Sequence, residues 1–162
     1  MSLMNHCAAV AYRLCLQGLL ILGLRRQAVA WTERRLKIAP DDVHALATRA
    51  QWLAEEGDLA AAAVCLQRLL QIRPRQSAAW FNLGYVLEQQ GRAAAAEAAF
   101  RQAAEADPAM DRAWYGLALS LIAQQRWDEA EFALHRTNAL QPLSPFGWVQ
   151  LARLCLLYTS PS

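Results

Sequence analysis

Four prolines, Pro40, Pro74, Pro108 and Pro142, stand 34 residues apart in this 162-residue chain. The same beat carries Gly23, Gly57 and Gly91, with Gln125 in the fourth place, and a third series of Ala28, Ala62, Ala96 and Ala130. A fourth series, Tyr12, Leu46, Trp80, Trp114 and Trp148, is bulky and apolar throughout. Independent series that share one period mean one structural unit repeated along the chain. That unit decides the architecture before any local assignment.

Each unit predicts two helices. Trp80, Leu83, Gly84 and Leu87 follow helical spacing, as do Ala96, Phe100 and Ala103 after Gly91. The glycine between them is free to take positive φ at the first helix's C-cap. The proline that closes the unit cannot continue a helix and disfavours the α conformation before it. Ser77, Asp111 and Ser144 fall at N-cap places, with Pro145 suited to a first helical turn. Asp58 is expected to cap a second helix, and Asp128 with Glu129 suits the positive end of another. Small residues in one repeating place (Ala50, Gly84, Ala118, Ala152) let paired helices approach closely. Trp80, Trp114 and Trp148 take the core-packing place, while Trp31, Trp52 and Trp127 are expected to pack between neighbouring repeats. The expected fold is all-α, an α-solenoid of antiparallel helix pairs.

Composition removes several functional classes. A chain 56% hydrophobic and 19% charged is not disordered. A net charge of +2 without a block of like charge argues against a nucleic-acid partner. Cys7, Cys15, Cys65 and Cys155 show no CxxC pair and no histidine at ligand spacing, so free thiols are expected and no metal. His6, His44 and His135 lack a nucleophile or acid at motif spacing. The acidic clusters lie at helix ends, where capping and helix dipoles account for them. No glycine loop cradles a phosphate. Neither a catalytic constellation nor a cofactor is therefore expected. Leu14 to Leu24 is broken by Gln17 and Gly18 and falls short of the ~18 apolar residues of a spanning helix. Arg25 and Arg26 ahead of Ala28-Val29-Ala30 are wrong for a secretory signal. The expected compartment is cytoplasmic, with periplasmic or membrane-associated placement through residues 14–24 as the alternative.

Residues 77–110 resemble a tetratricopeptide repeat: Trp80, Leu83 and Gly84 form W-x2-L-G, Ala96 and Phe100 form A-x3-F, and Pro108 closes the unit. Residues 111–144 are similar through Trp114, Leu117, Ala118, Ala130, Leu134 and Pro142. Residues 43–76 match through Leu46, Ala50, Gly57, Ala62, Leu66 and Pro74, with Arg49 in an unusual place. Residues 9–42 are degenerate, with Leu16, Thr32 and Arg35 off-pattern, as in a terminal capping unit. Residues 145–154 begin a fifth first helix on Phe146, Trp148, Leu151 and Ala152. The repeat domain is thus expected over 1–154. Residues 155–162 resemble the in-frame translation of a transposase sequencing adapter and are expected to be a non-native tail on a fragment.

The resemblance implies a right-handed superhelix whose concave face, lined by the first helices, takes a peptide or partner segment. By repeat position that face holds Arg13, Gln17, His44, Thr48, Gln51, Phe81, Asn82, Tyr85, Arg112 and Tyr115. Asn82 and Arg112 fall where some family members clamp a peptide's terminal carboxylate. Ala47 and Gly116 stand where that clamp needs basic residues, and Gln51 replaces an asparagine. The resemblance thus points to a protein–protein interaction scaffold that is not an enzyme. The alternatives are the substrate-recruiting arm of a larger enzyme, such as a glycosyltransferase, or an envelope-assembly adaptor. Partner identity and oligomeric state stay open.

Overall fold

The computed structural model describes residues 2–159, with side chains over residues 10–156 apart from residue 13. The described residues form helices and short turns, with no strand. In chain order the helices are α1 (Ser2–Ile21), α2 (Arg25–Ile38), α3 (Val43–Glu55), α4 (Leu59–Ile72), α5 (Ser77–Gln89), α6 (Ala93–Ala106), α7 (Asp111–Ala123), α8 (Trp127–Leu140) and α9 (Pro145–Thr159). The chain divides into two compact units, α1–α4 and α5–α9, with the boundary between Pro74 and Arg75.

The turns inside the pairs carry the period seen in the sequence. Gly23, Gly57 and Gly91 have φ of 70°, 87° and 73°, and Gln125 adopts φ 60° in the fourth place. At each of the last three turns the next N–H reaches back five residues, Asp58 to Leu53, Arg92 to Leu87 and Arg126 to Leu121, at 2.8–3.0 Å. The left-handed residue makes this bond possible and satisfies a carbonyl the helix would otherwise leave open. Gln125 holds that conformation with a Cβ, which costs about 1 kcal/mol. Gln125→Gly is therefore expected to raise stability by about 0.5–1 kcal/mol, read as a higher urea midpoint at unchanged slope.

The helix starts divide into two kinds. The Asp42 carboxylate accepts from the His44 and Ala45 N–H groups at 3.1 Å, and Asp58 accepts from Ala61 at 3.0 Å. Ser77 and Asp111 are not caps. They are the first helical residues, and the cap positions belong to Gln76 and Met110, neither of which makes a side-chain cap bond. The Gln76 carbonyl already accepts from Ala79 and Trp80, so the helix has begun before the Ser77 hydroxyl could cap it. Asp111 still favours its helix through charge at the positive end. Pro145 heads α9 as expected.

In the first unit Tyr12, Leu16, Ala28, Ala45 and Trp52 form a core backed by Leu19, Val29 and Leu36. The off-pattern residues of the degenerate repeat are each satisfied. Thr32 is buried and its Oγ1 donates to the Ala28 carbonyl at 2.9 Å, so the Tyr12 hydroxyl donates to Thr32 at 2.8 Å. The Arg35 Nε donates to the Asp42 carboxylate at 2.7 Å, and Arg49 meets Glu33 at 3.2 Å.

The second unit is organised around Phe100. Its ring is fully buried between Gly84 of α5 and Gly116 of α7, at either of which a Cβ would lie 2.7 Å from the ring. Of the tryptophans expected in the core, Trp80 and Trp114 pack against Ala103, Ala104 and Ala113, and Trp148 is placed differently. Trp114 is half-buried and Trp148 exposed. Their indole N–H groups donate to the Pro108 and Pro142 carbonyls, each at 3.0 Å. An indole N–H needs an acceptor, and the proline turn six residues back supplies one at the unit's edge. Ala152, expected at a helix–helix contact, is exposed, since no described helix follows α9 to pack on it. Gly147 of α9 lies against the buried Asn138 of α8, where a Cβ would overlap the Asn138 amide oxygen.

Candidate partner-binding face

In the second unit, residues 81, 82 and 85 lie on α5 and residues 112 and 115 on α7. Phe81 packs on Phe100, ring centroids 5.8 Å apart, and the Arg112 guanidinium sits 5.7 Å above the Phe81 ring. A cation over an aromatic face at an exposed site is worth about 0.5–1 kcal/mol, which favours this placement of the guanidinium a few-fold. Tyr115 tilts against Phe146 of α9 at 6.3 Å, and its hydroxyl lies 3.5 Å from the Gln150 Nε2. Asn82 and Tyr85 stay exposed. Glu88 continues the line of Phe81 and Tyr85 along α5, and burial raises its carboxyl pKa above the ordinary value. Phe146, Gln150 and Glu88 were not among the residues expected here. The first two were within reach of the sequence, since they follow Arg112 and Gly116 by one period.

In the first unit, His44, Thr48 and Gln51 share one stripe of α3 at i, i+4 and i+7. His44 and Gln51 are exposed and Thr48 half-buried. Thr48 spends its hydroxyl proton on the His44 carbonyl at 2.9 Å. The Gln51 Nε2 donates to Glu55 at 3.1 Å, whose other oxygen meets Arg25 at 2.8 Å. Gln17 is exposed on α1, and the side chain of Arg13 lies outside the described residues.

Two tetratricopeptide repeat family models match the chain, over residues 47–111 and residues 87–146. The chain belongs to the tetratricopeptide repeat family. No curated protein matches this tetratricopeptide repeat protein in sequence. Among solved structures it is similar to MamA (41-end) from Desulfovibrio magneticus RS-1, at 23% identity and TM-score 0.82, over 93% of this chain and 85% of that one. It is also similar to YrrB, described as a TPR protein with an unusual peptide-binding site, at 19% identity and TM-score 0.76, over 90% and 75%. A third is the first TPR of Spaghetti (RPAP3) bound to the HSP90 peptide SRMEEVD, at 17% identity and TM-score 0.71, over 73% and 94%. At such identities the likeness is one of fold.

The second unit of this tetratricopeptide repeat protein also carries a recess. A cleft of about 510 Å³ opens between α6 and α8, floored by Leu117 and Leu121 of α7. Trp114 and Phe132 meet edge to face at 6.2 Å in its wall, with the Arg136 guanidinium 5.4 Å above the Trp114 ring. Among the described residues no three His, Cys, Asp or Glu side chains gather as a metal set. No described helix is long and apolar enough to cross a membrane.

Proposed function

We propose that this chain is a protein–protein interaction scaffold that takes an extended segment of a partner protein along the first helices of its repeats. The observation that carries this reading is the Phe81–Arg112 pair: an aromatic ring with a guanidinium held above it, beside the exposed Asn82 and Tyr85. Aromatic and arginine side chains that are already ordered lose little entropy on contact, the usual character of interface hot spots. Phe81, Tyr85, Tyr115 and Phe146 supply apolar area. Asn82 and Gln150 offer amides to an extended backbone, and Arg112 draws a carboxylate. In the first unit Arg13, Gln17, His44, Thr48 and Gln51 are proposed to serve in the same way. The segment that fits is one with an aromatic or aliphatic residue next to an acidic one.

The test is selection from a displayed peptide library, followed by titration of the selected peptides. Tyr85→Ala combined with Arg112→Ala is expected to weaken binding tenfold or more while helicity and melting stay close to wild type. Unchanged affinity in the folded double variant removes this face from the proposal.

A further inference from the structure

The net charge of +2 conceals a marked asymmetry. Residues 1–38 hold six basic side chains, Arg13, Arg25, Arg26, Arg34, Arg35 and Lys37, against the single acid Glu33, so the rest of the chain is net acidic. Arg25 and Arg35 are committed to Glu55 and Asp42, and Glu33 is answered by Arg49. Arg26, Arg34 and Lys37 make no ion pair among the described residues and are exposed.

The same two helices carry the largest uncovered apolar side chains of their unit. Ile21 is 84% exposed, Leu22 72% and Ile38 80%, with Leu14 and Trp31 exposed as well. These side chains are not scattered. Leu14, Gly18 and Ile21 run along one face of α1, with Leu22 in the turn just past its end, and Gln27, Trp31, Arg34 and Ile38 run along one face of α2. Between them lies an apolar cleft of about 570 Å³, lined by Gly18, Leu19 and Leu22 on one side and by Ala30, Trp31 and Arg34 on the other.

We infer that the α1–α2 face docks on an anionic lipid surface, lying on it without crossing it. The aliphatic side chains and Trp31 enter the headgroup boundary, while Arg26, Arg34 and Lys37 reach along it to the phosphates. The charge decides between this occupant and the pairing of this face with itself in a second copy, which would set one basic face against another. A lipid surface meets both halves of the pattern at once, apolar depth and negative charge, and demands no shape complementarity. No described helix spans a membrane, so attachment is interfacial and depends on salt.

The full chain is to be sedimented with mixed phosphatidylcholine–phosphatidylglycerol vesicles and with pure phosphatidylcholine vesicles. Sedimentation is expected with the first alone and falls as salt rises. Arg26→Glu with Arg34→Glu is expected to weaken it more than about tenfold. Ile21→Asp with Leu22→Asp is expected to abolish it, and Tyr85→Ala with Arg112→Ala to leave it unchanged. All these residues are exposed, so circular dichroism should match wild type for each variant. Equal binding to neutral vesicles, or indifference to the Ile21 and Leu22 changes, overturns the inference. So does self-association without vesicles that the same two changes abolish, which would assign the face to a second copy.

Discussion

Phe100→Ala is expected to cost about 3–5 kcal/mol, toward the upper end of what truncating a buried aromatic removes. The reason lies in what surrounds the ring. Gly84 and Gly116 flank it from α5 and α7, and neither has a side chain that could move into the space left behind. The cavity therefore stays open, and its surface adds to the lost transfer energy. The converse change is informative too. Gly84→Ala gains helix propensity of about 0.5–1 kcal/mol, but its Cβ would lie 2.7 Å from a ring that Gly116 confines on the other side. Overpacking of about 1–3 kcal/mol should prevail. Combining Gly84→Ala with Phe100→Leu should then cost less than the two changes added, because the smaller side chain makes room for the methyl group. Urea midpoints of the four proteins in this cycle check it. Additive costs would mean that the glycine and the ring are not coupled.

The second large effect is electrostatic. The Glu97 carboxylate on α6 is nearly buried and accepts from Arg101 at 2.8 Å, from the Gln124 amide at 2.9 Å and from Arg126 at 2.7 Å. Arg126 also grips Glu129 with two bonds of 2.6 and 2.7 Å. The α7–α8 turn, including the strained Gln125, is thus tied to α6 through one carboxylate. Glu97→Ala leaves the Gln124 amide and two guanidiniums without it and should cost about 2–3 kcal/mol, reduced from the fully buried case because the arginines are part-exposed. Burial works to raise the Glu97 carboxyl, but the hydrogen bonds from Arg101, Gln124 and Arg126 outweigh it and hold the pKa below the ordinary value. The unfolded chain therefore takes up this proton first as pH falls. The stabilisation is complete above the unfolded carboxyl value of about 4.3 and drains away as pH falls from there through the lowered folded value. Melting temperatures of wild type and Glu97→Gln should differ at pH 7 and converge toward pH 2. A constant gap would remove the charge from the explanation.

The helix pairs and their left-handed turns were legible in the sequence because a backbone requirement, positive φ at a fixed place, selects glycine strongly enough to show as a period. Gln125 was legible as the exception, and its conformation matches its neighbours at a cost the Glu97 network helps to offset. Helix starts were less legible. Ser77 and Asp111 look like caps, but a shift of one residue turns a cap into a first-turn residue, and nothing local in the sequence resolves that shift. The tryptophan series is legible as a period and, at Trp80 and Trp114, as core packing; Trp148 departs from it, since its indole satisfies the N–H at a turn while half the ring stays outside. Of the candidate face, Phe81 and Arg112 are each named from the sequence alone. Their stacking is not, because it joins two helices 31 positions apart in sequence. The Glu97 network escaped for the same reason: its members come from three elements, and each taken alone resembles a surface charge.

Contacts within each unit run almost entirely between helices consecutive in the chain: α1 with α2, α2 with α3 and α3 with α4 in one, and α5 with α6 through α8 with α9 in the other, with α5–α7 added there. Chains wired this way close only short loops as they fold, so collapse is fast and can start at any pair. Unfolding should be correspondingly piecemeal. Amide exchange should grade outward along each unit, slowest around the Phe100 seat and fastest at α9, which packs chiefly on α8.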